Sequence, residues 1–302
     1  MSGEGPDTQS DAEVPAEARP LPGGEELRKA LEPEVTEDAT PADGPRGRPT
    51  RIIAVANQKG GVGKTTSTVN IGACLAELGY RTLLIDMDPQ ANATTGVGID
   101  PRSISQSVYD VIVQQQPIDD CIEPTAVKGL FLVPSGVELA GAEIELVPML
   151  GREHRLRQAL DTVDGEYDYV LIDCPPSLGL LTVNAMTAAK EVLVPIQCEY
   201  YALEGLGQLL RNVDLVKSNL NPELDISTIV LVMYDARTKL AGQVVDEVRA
   251  HFGDRVCEEV IPRTVRLSEA PSYGQPITVF DSDSRGASAY RAVTKELVGV
   301  ET

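Results

Sequence analysis

Residues 57–66 read NQKGGVGKTT and combine three glycines with two lysines and two threonines. Glycines let backbone N–H groups turn toward phosphate oxygens, and the ending Gly-Lys-Thr is that of a Walker A loop. We therefore expect Lys64 to reach the β- and γ-phosphates of a nucleotide and the Thr65 hydroxyl to bind Mg²⁺. The first glycine of the usual spacing is replaced by Gln58, and Lys59 is an additional lysine. The loop residues expected to contact the nucleotide of their own chain are Gly60, Gly61, Val62, Gly63, Lys64, Thr65 and Thr66.

Aspartates follow two apolar runs elsewhere in the chain. LLIDMDPQAN contains Asp86 and Asp88, and YVLIDCPPS contains Asp173. An aspartate after four apolar strand residues suits a Walker B carboxylate, which binds Mg²⁺ through water. Alternation along a strand places Asp86 and Asp88 on the same side, and the more distal Asp88 is the better candidate to orient an attacking water. Aspartates at strand ends also cap helices, so a structural role for Asp86 stays open.

Short apolar runs alternate with helical stretches from residue 51 onward. The predicted strands are residues 51–57, 81–88, 129–135, 167–175, 191–197, 226–234 and 255–262. The predicted helices are residues 64–79, 151–163, 178–189, 203–218 and 239–252. Several strands are apolar throughout, as expected when both faces of a sheet are covered. The pattern predicts an α/β fold with a single doubly wound, mainly parallel sheet and helices on both faces, which binds ligands at the carboxyl ends of its strands.

The first 50 residues differ from the rest of the 302-residue chain. They carry twelve acids and five bases, and they contain few large apolar side chains. Such a segment buries too little apolar surface to offset the entropy lost on ordering. We expect residues 1–50 to be a disordered acidic tail, either solubilising or partner-binding, and residues 51–302 to form one nucleotide-binding domain.

Charge and composition exclude several other classes of protein. The five cysteines are scattered and the chain has only two histidines, so a zinc site, a disulfide framework or a histidine triad is not expected. The N-terminus is acidic and polar rather than basic and then apolar, which predicts a cytoplasmic protein. A net charge of −20 means that any DNA-binding surface must be a local cationic patch.

Five stretches together resemble one family. KGGVGKTT, DMDPQAN, DCPPSLGLLTVNA, EYYALEG and IPRTVRLSEAPSYGQPI are similar to the deviant Walker A ATPases, specifically the ParA/Soj partitioning proteins, over about residues 51–298. The resemblance implies ATP and Mg²⁺ as cofactors and an ATP-bound homodimer in which Lys59 reaches the phosphates of the partner subunit. It also implies that Asp88 is needed for hydrolysis and that Asp173 is the Walker B acid.

The same resemblance implies a DNA step. The family's ATP-bound dimer binds double-stranded DNA without sequence preference, and a ParB-like centromere-binding protein stimulates hydrolysis and releases it. Arg237 and Arg266 match the positions of basic DNA-binding residues, with Lys239 a weaker candidate. Met233 and Pro262 would border the adenine, with Arg263 either beside them or in the DNA patch. The expected location is the cytoplasm, on the nucleoid.

Three other classes of protein fit the sequence less well. A MinD-like ATPase that cycles on membrane needs a basic amphipathic C-terminal helix, and the ending YRAVTKELVGVET has few bulky apolar residues. An iron–sulfur reductase needs paired cysteine ligands, which the spacing does not provide. A scaffold with a degenerate site is disfavoured by Lys64, Thr65, Asp88 and Asp173.

Overall fold

A computed structural model describes residues 49–199 and 202–300. The predicted acidic tail, residues 1–50, lies outside the described residues except for its last two.

Seven strands form one sheet in the order β3-β4-β2-β5-β1-β6-β7. The strands are β1 Arg51–Val55, β2 Thr82–Asp86, β3 Glu123–Pro124, β4 Leu130–Val133, β5 Tyr169–Asp173, β6 Glu191–Gln197 and β7 Asp225–Val232. Every neighbouring pair is parallel except the short edge strand β3 with β4. This arrangement confirms the predicted mainly parallel, doubly wound sheet.

Ten α-helices connect or flank the described strands. They are α1 Lys64–Glu77, α2 Asn92–Gly96, α3 Leu139–Leu146, α4 Arg155–Leu160, α5 Leu180–Ala188, α6 Ala202–Asn219, α7 Lys239–Phe252, α8 Val265–Glu269, α9 Ile277–Phe280 and α10 Arg285–Val298. The helix predicted at 151–163 is divided, because short 3₁₀ segments, Arg152–His154 and Asp161–Val163, flank α4.

The strand predicted at residues 255–262 does not form, so this part of the sequence prediction was wrong. The segment makes isolated bridges at Val256 and Pro262, and its Cys257 and Ile261 N–H groups donate to carbonyls of β7. The backbone N–H groups of Glu258 and Glu259 instead donate to the carboxylate of Glu296, at 2.6 and 2.9 Å. Because α10 supplies this acceptor in the middle of the segment, the backbone bonds to β7 are interrupted and no continuous strand ladder forms.

Apolar side chains pack on both faces of the sheet. On one face, Ile71 and Leu75 of α1 pack with the fully buried Tyr290 of α10, whose hydroxyl lies 3.2 Å from the hydroxyl of Ser67. On the other face, α3, α5, α6 and α7 contribute buried side chains. Covering both faces fixes the strands, so their carboxyl ends form a rigid platform.

The five cysteines are buried, and none of them is paired in a disulfide. Burial raises the pKa of each thiol above its ordinary value. Within residues 49–199 and 202–300, no helix has the length and apolar character needed to cross a bilayer.

Candidate functional site

The glycine-rich loop joins the end of β1 to the start of α1. Gly61 and Gly63 have φ angles of 73° and 80°, in the left-handed region that favours glycine. An added Cβ at Gly60 or Gly61 would meet nothing within 4 Å. The loop therefore presents open backbone beside the N-terminus of a 14-residue helix, which is a favourable place for phosphate.

A cavity of about 600 Å³ opens over this loop. Its lining includes eight residues that the sequence analysis predicted to contact the nucleotide or the attacking water, namely Gly60, Gly61, Gly63, Lys64, Thr65, Thr66, Asp88 and Met233. Further lining residues are Val69, Asn70, Gln90, Asn92, Thr95, Gly96, Pro176, Ala270, Pro271, Ser272 and Gln275. The structure thus brings most of the predicted nucleotide-contacting residues to one cavity, while Lys59, Val62 and Pro262 lie outside its described lining.

Lys64 is the buried cation of the cavity. Its ammonium donates to the carbonyl of Lys59 at 3.3 Å, and the residue is only 6% exposed. Burial lowers the pKa of Lys64, and the negative charge of Asp173 opposes this shift. An anionic phosphate beside Lys64 would favour the charged form of its amine.

Asp173 lies at the end of β5, next to the loop. One carboxylate oxygen accepts a hydrogen bond from the Thr68 hydroxyl at 3.2 Å, and the other is buried with no partner among the described residues. Burial raises the pKa of Asp173, and the neighbouring charge of Asp86 adds to this. A buried carboxylate oxygen without a partner, close to the Thr65 hydroxyl at the start of α1, fits the oxygen ligands that Mg²⁺ prefers.

Asp86 and Asp88 have different surroundings. The carboxylate of Asp86 accepts from the Asp88 N–H at 3.1 Å and from the Thr94 N–H and hydroxyl, both at 2.8 Å. Asp86 is therefore occupied in holding the turn and α2. Asp88 lines the cavity, and among the described contacts its carboxylate accepts a hydrogen bond only from the nearby Gln90 N–H, at 3.0 Å.

Lys59 points away from the cavity of its own chain. Its ammonium lies 3.5 Å from the side-chain oxygen of Gln197, the last residue of β6, and 3.6 Å from the carboxylate of Glu199, two residues further on. The side chain is 38% exposed. The two lysines of the loop are therefore directed to different places, Lys64 inward and Lys59 toward the surface.

The far wall of the cavity comes from segments that the sequence interpretation did not assign. Residues 270–275 face the α2 segment, and an added Cβ at Gly274 would lie 2.8 Å from the Cα of Gly98. The side chain of Asn70 connects this wall to α1, because it accepts from the Ile277 N–H at 2.7 Å. Met233, on the same cavity, has a φ of 56°, unusual for a residue other than glycine. The motif SEAPSYGQPI was the only sequence signal for this wall.

We expect Gly274→Ala to lower the free energy of unfolding by about 2 kcal/mol, because the added methyl would overlap the Gly98 backbone. Gly79→Ala is the matched control, since Gly79 also has a positive φ but has open space around its Cβ position. Urea unfolding of both variants separates overlap from backbone strain. Equal losses of stability in the two variants would contradict the close approach of the two loops.

The predicted DNA-contacting residues lie outside the cavity lining. Arg237 is 88% exposed in its side chain and forms a two-point ion pair with Asp235, at 2.8 and 2.7 Å. Arg266 pairs with Glu269 and Asp281. Lys239 is exposed at the start of α7, and Arg263 is exposed after the bridge at Pro262.

Comparisons with known proteins agree with this arrangement. A family model described as an AAA domain matches residues 50–226. The sporulation initiation inhibitor protein Soj of Bacillus subtilis is 56% identical over 247 residues, covering 82% of this chain and 98% of that protein. The chromosome partitioning protein ParA of Myxococcus xanthus is 52% identical over 252 residues, covering 83% and 89%.

A solved structure is also similar along most of its length. It is that of a cobyrinic acid a,c-diamide synthase from Mycobacterium smegmatis with bound ATP analogue and magnesium, with 41% identity and a TM-score of 0.73. The match covers 82% of this chain and 94% of that one. The curated relatives and the family model establish that the chain belongs to the ParA/Soj family of partitioning proteins, of the deviant Walker A type.

Proposed function

We propose that this chain is a ParA-type ATPase that uses ATP and Mg²⁺ in the segregation of chromosomal or plasmid DNA. The observation that carries the proposal is the convergence of the glycine loop, Lys64, Thr65 and Asp88 on one cavity, with Asp173 directly behind it. The relatives named for chromosome partitioning, and the similar structure with an ATP analogue and magnesium, support it.

In the proposed reaction, each group acts at a defined position. The loop N–H groups and the Lys64 ammonium bind the phosphates. The Thr65 hydroxyl would hold Mg²⁺ directly and Asp173 would hold it through water, and the ion neutralises phosphate charge when bound. Asp88 would orient the water that attacks the terminal phosphate.

The proposal extends to assembly and partners. ATP would join two subunits through Lys59, and the dimer would bind double-stranded DNA through Arg237, Arg266 and Lys239. A ParB-like protein bound to centromere-like sites would stimulate hydrolysis and release the dimer. The chain would then be cytoplasmic and nucleoid-associated, with an acidic tail preceding the domain.

The membrane-cycling alternative gains no support from the described C-terminal helix. In α10, the buried residues include Ala287, Tyr290, Val293 and Leu297, and they pack with α1 and the sheet. The apolar side of this helix is therefore used within the domain. An interfacial membrane helix needs that side for lipid.

The proposed function is tested by DNA binding of the full chain without nucleotide, with ADP, with ATP and with a slowly hydrolysed ATP analogue. Tight binding is expected only with ATP or the analogue, together with a dimer in sedimentation. ATP turnover is then measured with DNA and with the ParB-like protein. Nucleotide-independent DNA binding, or no stimulated turnover, would overturn the proposal.

Arg266→Glu should weaken ATP-dependent DNA binding by at least about tenfold while leaving ATP-dependent dimerisation intact, because phosphate contacts supply most non-specific affinity. Arg102→Glu is the control, since Arg102 is also an exposed, ion-paired arginine. Binding by the unmodified chain should fall steeply with salt. Salt-insensitive binding, or equal effects of the two substitutions, would contradict a DNA patch at Arg266.

A further inference from the structure

Arg266, a predicted DNA contact, is held by two acids. Its guanidinium lies 3.3 Å from the Glu269 carboxylate and 3.1 Å from the Asp281 carboxylate. It also lies over the Phe280 ring, 5.6 Å from the ring centroid. The Arg266 side chain is still 59% exposed, but a DNA phosphate approaching it would meet two carboxylates, so the charge of the cation is masked while its surface is not.

Both acids lie next to the wall of the nucleotide cavity. Glu269 ends α8 and is followed at once by the wall segment 270–275. Asp281 directly follows α9. The N–H of Ile277, the first residue of α9, donates a hydrogen bond to the side chain of the cavity residue Asn70. The two acids therefore flank, along the chain, the segment that a bound nucleotide would contact.

We propose that Glu269 and Asp281 form a latch that masks Arg266 until nucleotide contacts residues 270–275. This inference rests on the proposed function, and it adds an autoinhibitory contact by which the ATP state of the cavity controls a DNA-binding cation. Little free energy is needed to open the latch, because exposed ion pairs are weak. A shift of the wall segment would be enough to separate them. The latch is carried by one chain and does not itself require a second subunit.

The test uses the full chain with Glu269→Gln, Asp281→Asn and both substitutions together. The control is Glu223→Gln, which removes the acid of an exposed ion pair with Lys190. Lys190 directly precedes β6, and both residues of this pair are far from the latch along the chain. The affinity for a duplex of random sequence is measured without nucleotide, with ADP and with ATP, at several salt concentrations.

The double variant is expected to bind DNA about threefold to tenfold more tightly without nucleotide or with ADP, as two weak ion pairs allow. Its affinity with ATP should change little, so that the ratio between the two states shrinks. Equal tightening in all nucleotide states would show a general charge effect and overturn the latch. An unmodified chain that binds DNA equally in all states would instead overturn the proposed function and the latch with it.

Discussion

Asp88→Ala is expected to bind ATP and dimerise normally but to hydrolyse ATP roughly 100-fold more slowly or worse, the usual loss when a group that orients or deprotonates water is removed. Asp88 lines the cavity without belonging to the loop that binds the phosphates. Its loss should therefore affect the chemical step more than nucleotide affinity. The measurements are single-turnover hydrolysis, binding of a fluorescent ATP analogue and sedimentation with ATP.

Three further variants make this prediction specific. Asp88→Asn keeps the shape of the side chain and should be as inactive as Asp88→Ala if the charge is required. Asp100→Asn removes an exposed acid that lies outside the cavity lining and should retain turnover. Asp86→Asn should instead lower the thermal stability, because a buried acceptor of three hydrogen bonds is altered. Normal hydrolysis by Asp88→Ala would show that another group positions the water.

The contrast between Asp86 and Asp88 shows how far local sequence could go. Both follow the same apolar run, and strand alternation predicted that they lie on the same side, yet of the two only Asp88 lines the cavity. The carboxylate of Asp86 instead accepts hydrogen bonds from Thr94, which lies on a short helix next to the end of the strand. The apolar pattern did not indicate that five-residue helix, so the sequence left the structural role of Asp86 open.

The sheet was predictable because six of its seven described strands are short apolar runs. The phosphate loop was predictable because the residues that could contact phosphate lie within ten consecutive positions. The far wall of the cavity was not predictable by the same means. It depends on the close approach of Gly98 and Gly274, which are distant in sequence and whose contact leaves no periodic pattern. The false strand at 255–262 has the same origin, since its competitor is the distant Glu296.

The predicted DNA residues illustrate a further limit. Sequence reasoning found cations at Arg237 and Arg266, but their availability depends on acids that the fold places beside them. Asp235 is a near neighbour of Arg237 in sequence, whereas Asp281 reaches Arg266 from the far end of α9. A count of basic residues cannot distinguish a free cation from a paired one, so the structure changes the interpretation of this surface.

Lys59→Ala should bind ATP with an affinity close to that of the unmodified chain yet remain monomeric with ATP. The reason is the direction of the two lysines. Lys64 is buried in the cavity, whereas Lys59 is partly exposed and lies against Glu199, outside the described cavity lining. Removal of Lys59 therefore leaves the site of its own chain intact while removing the cation proposed to bind the phosphates of the partner. ATP affinity by calorimetry and molecular mass by sedimentation, both with a slowly hydrolysed analogue, test this prediction.

Two control variants distinguish a loss of dimerisation from a loss of nucleotide binding and from a general effect of removing a positive charge. Lys64→Ala should lose about tenfold to 100-fold in ATP affinity, because a charge-assisted contact to phosphate is removed inside the cavity. Lys128→Ala removes an exposed lysine elsewhere and should still dimerise. If Lys59→Ala loses ATP binding as Lys64→Ala does, then Lys59 serves its own chain. If it dimerises like Lys128→Ala, then the second lysine of the loop does not join subunits, and the reason for its place before the glycines must be sought in its contact with Glu199.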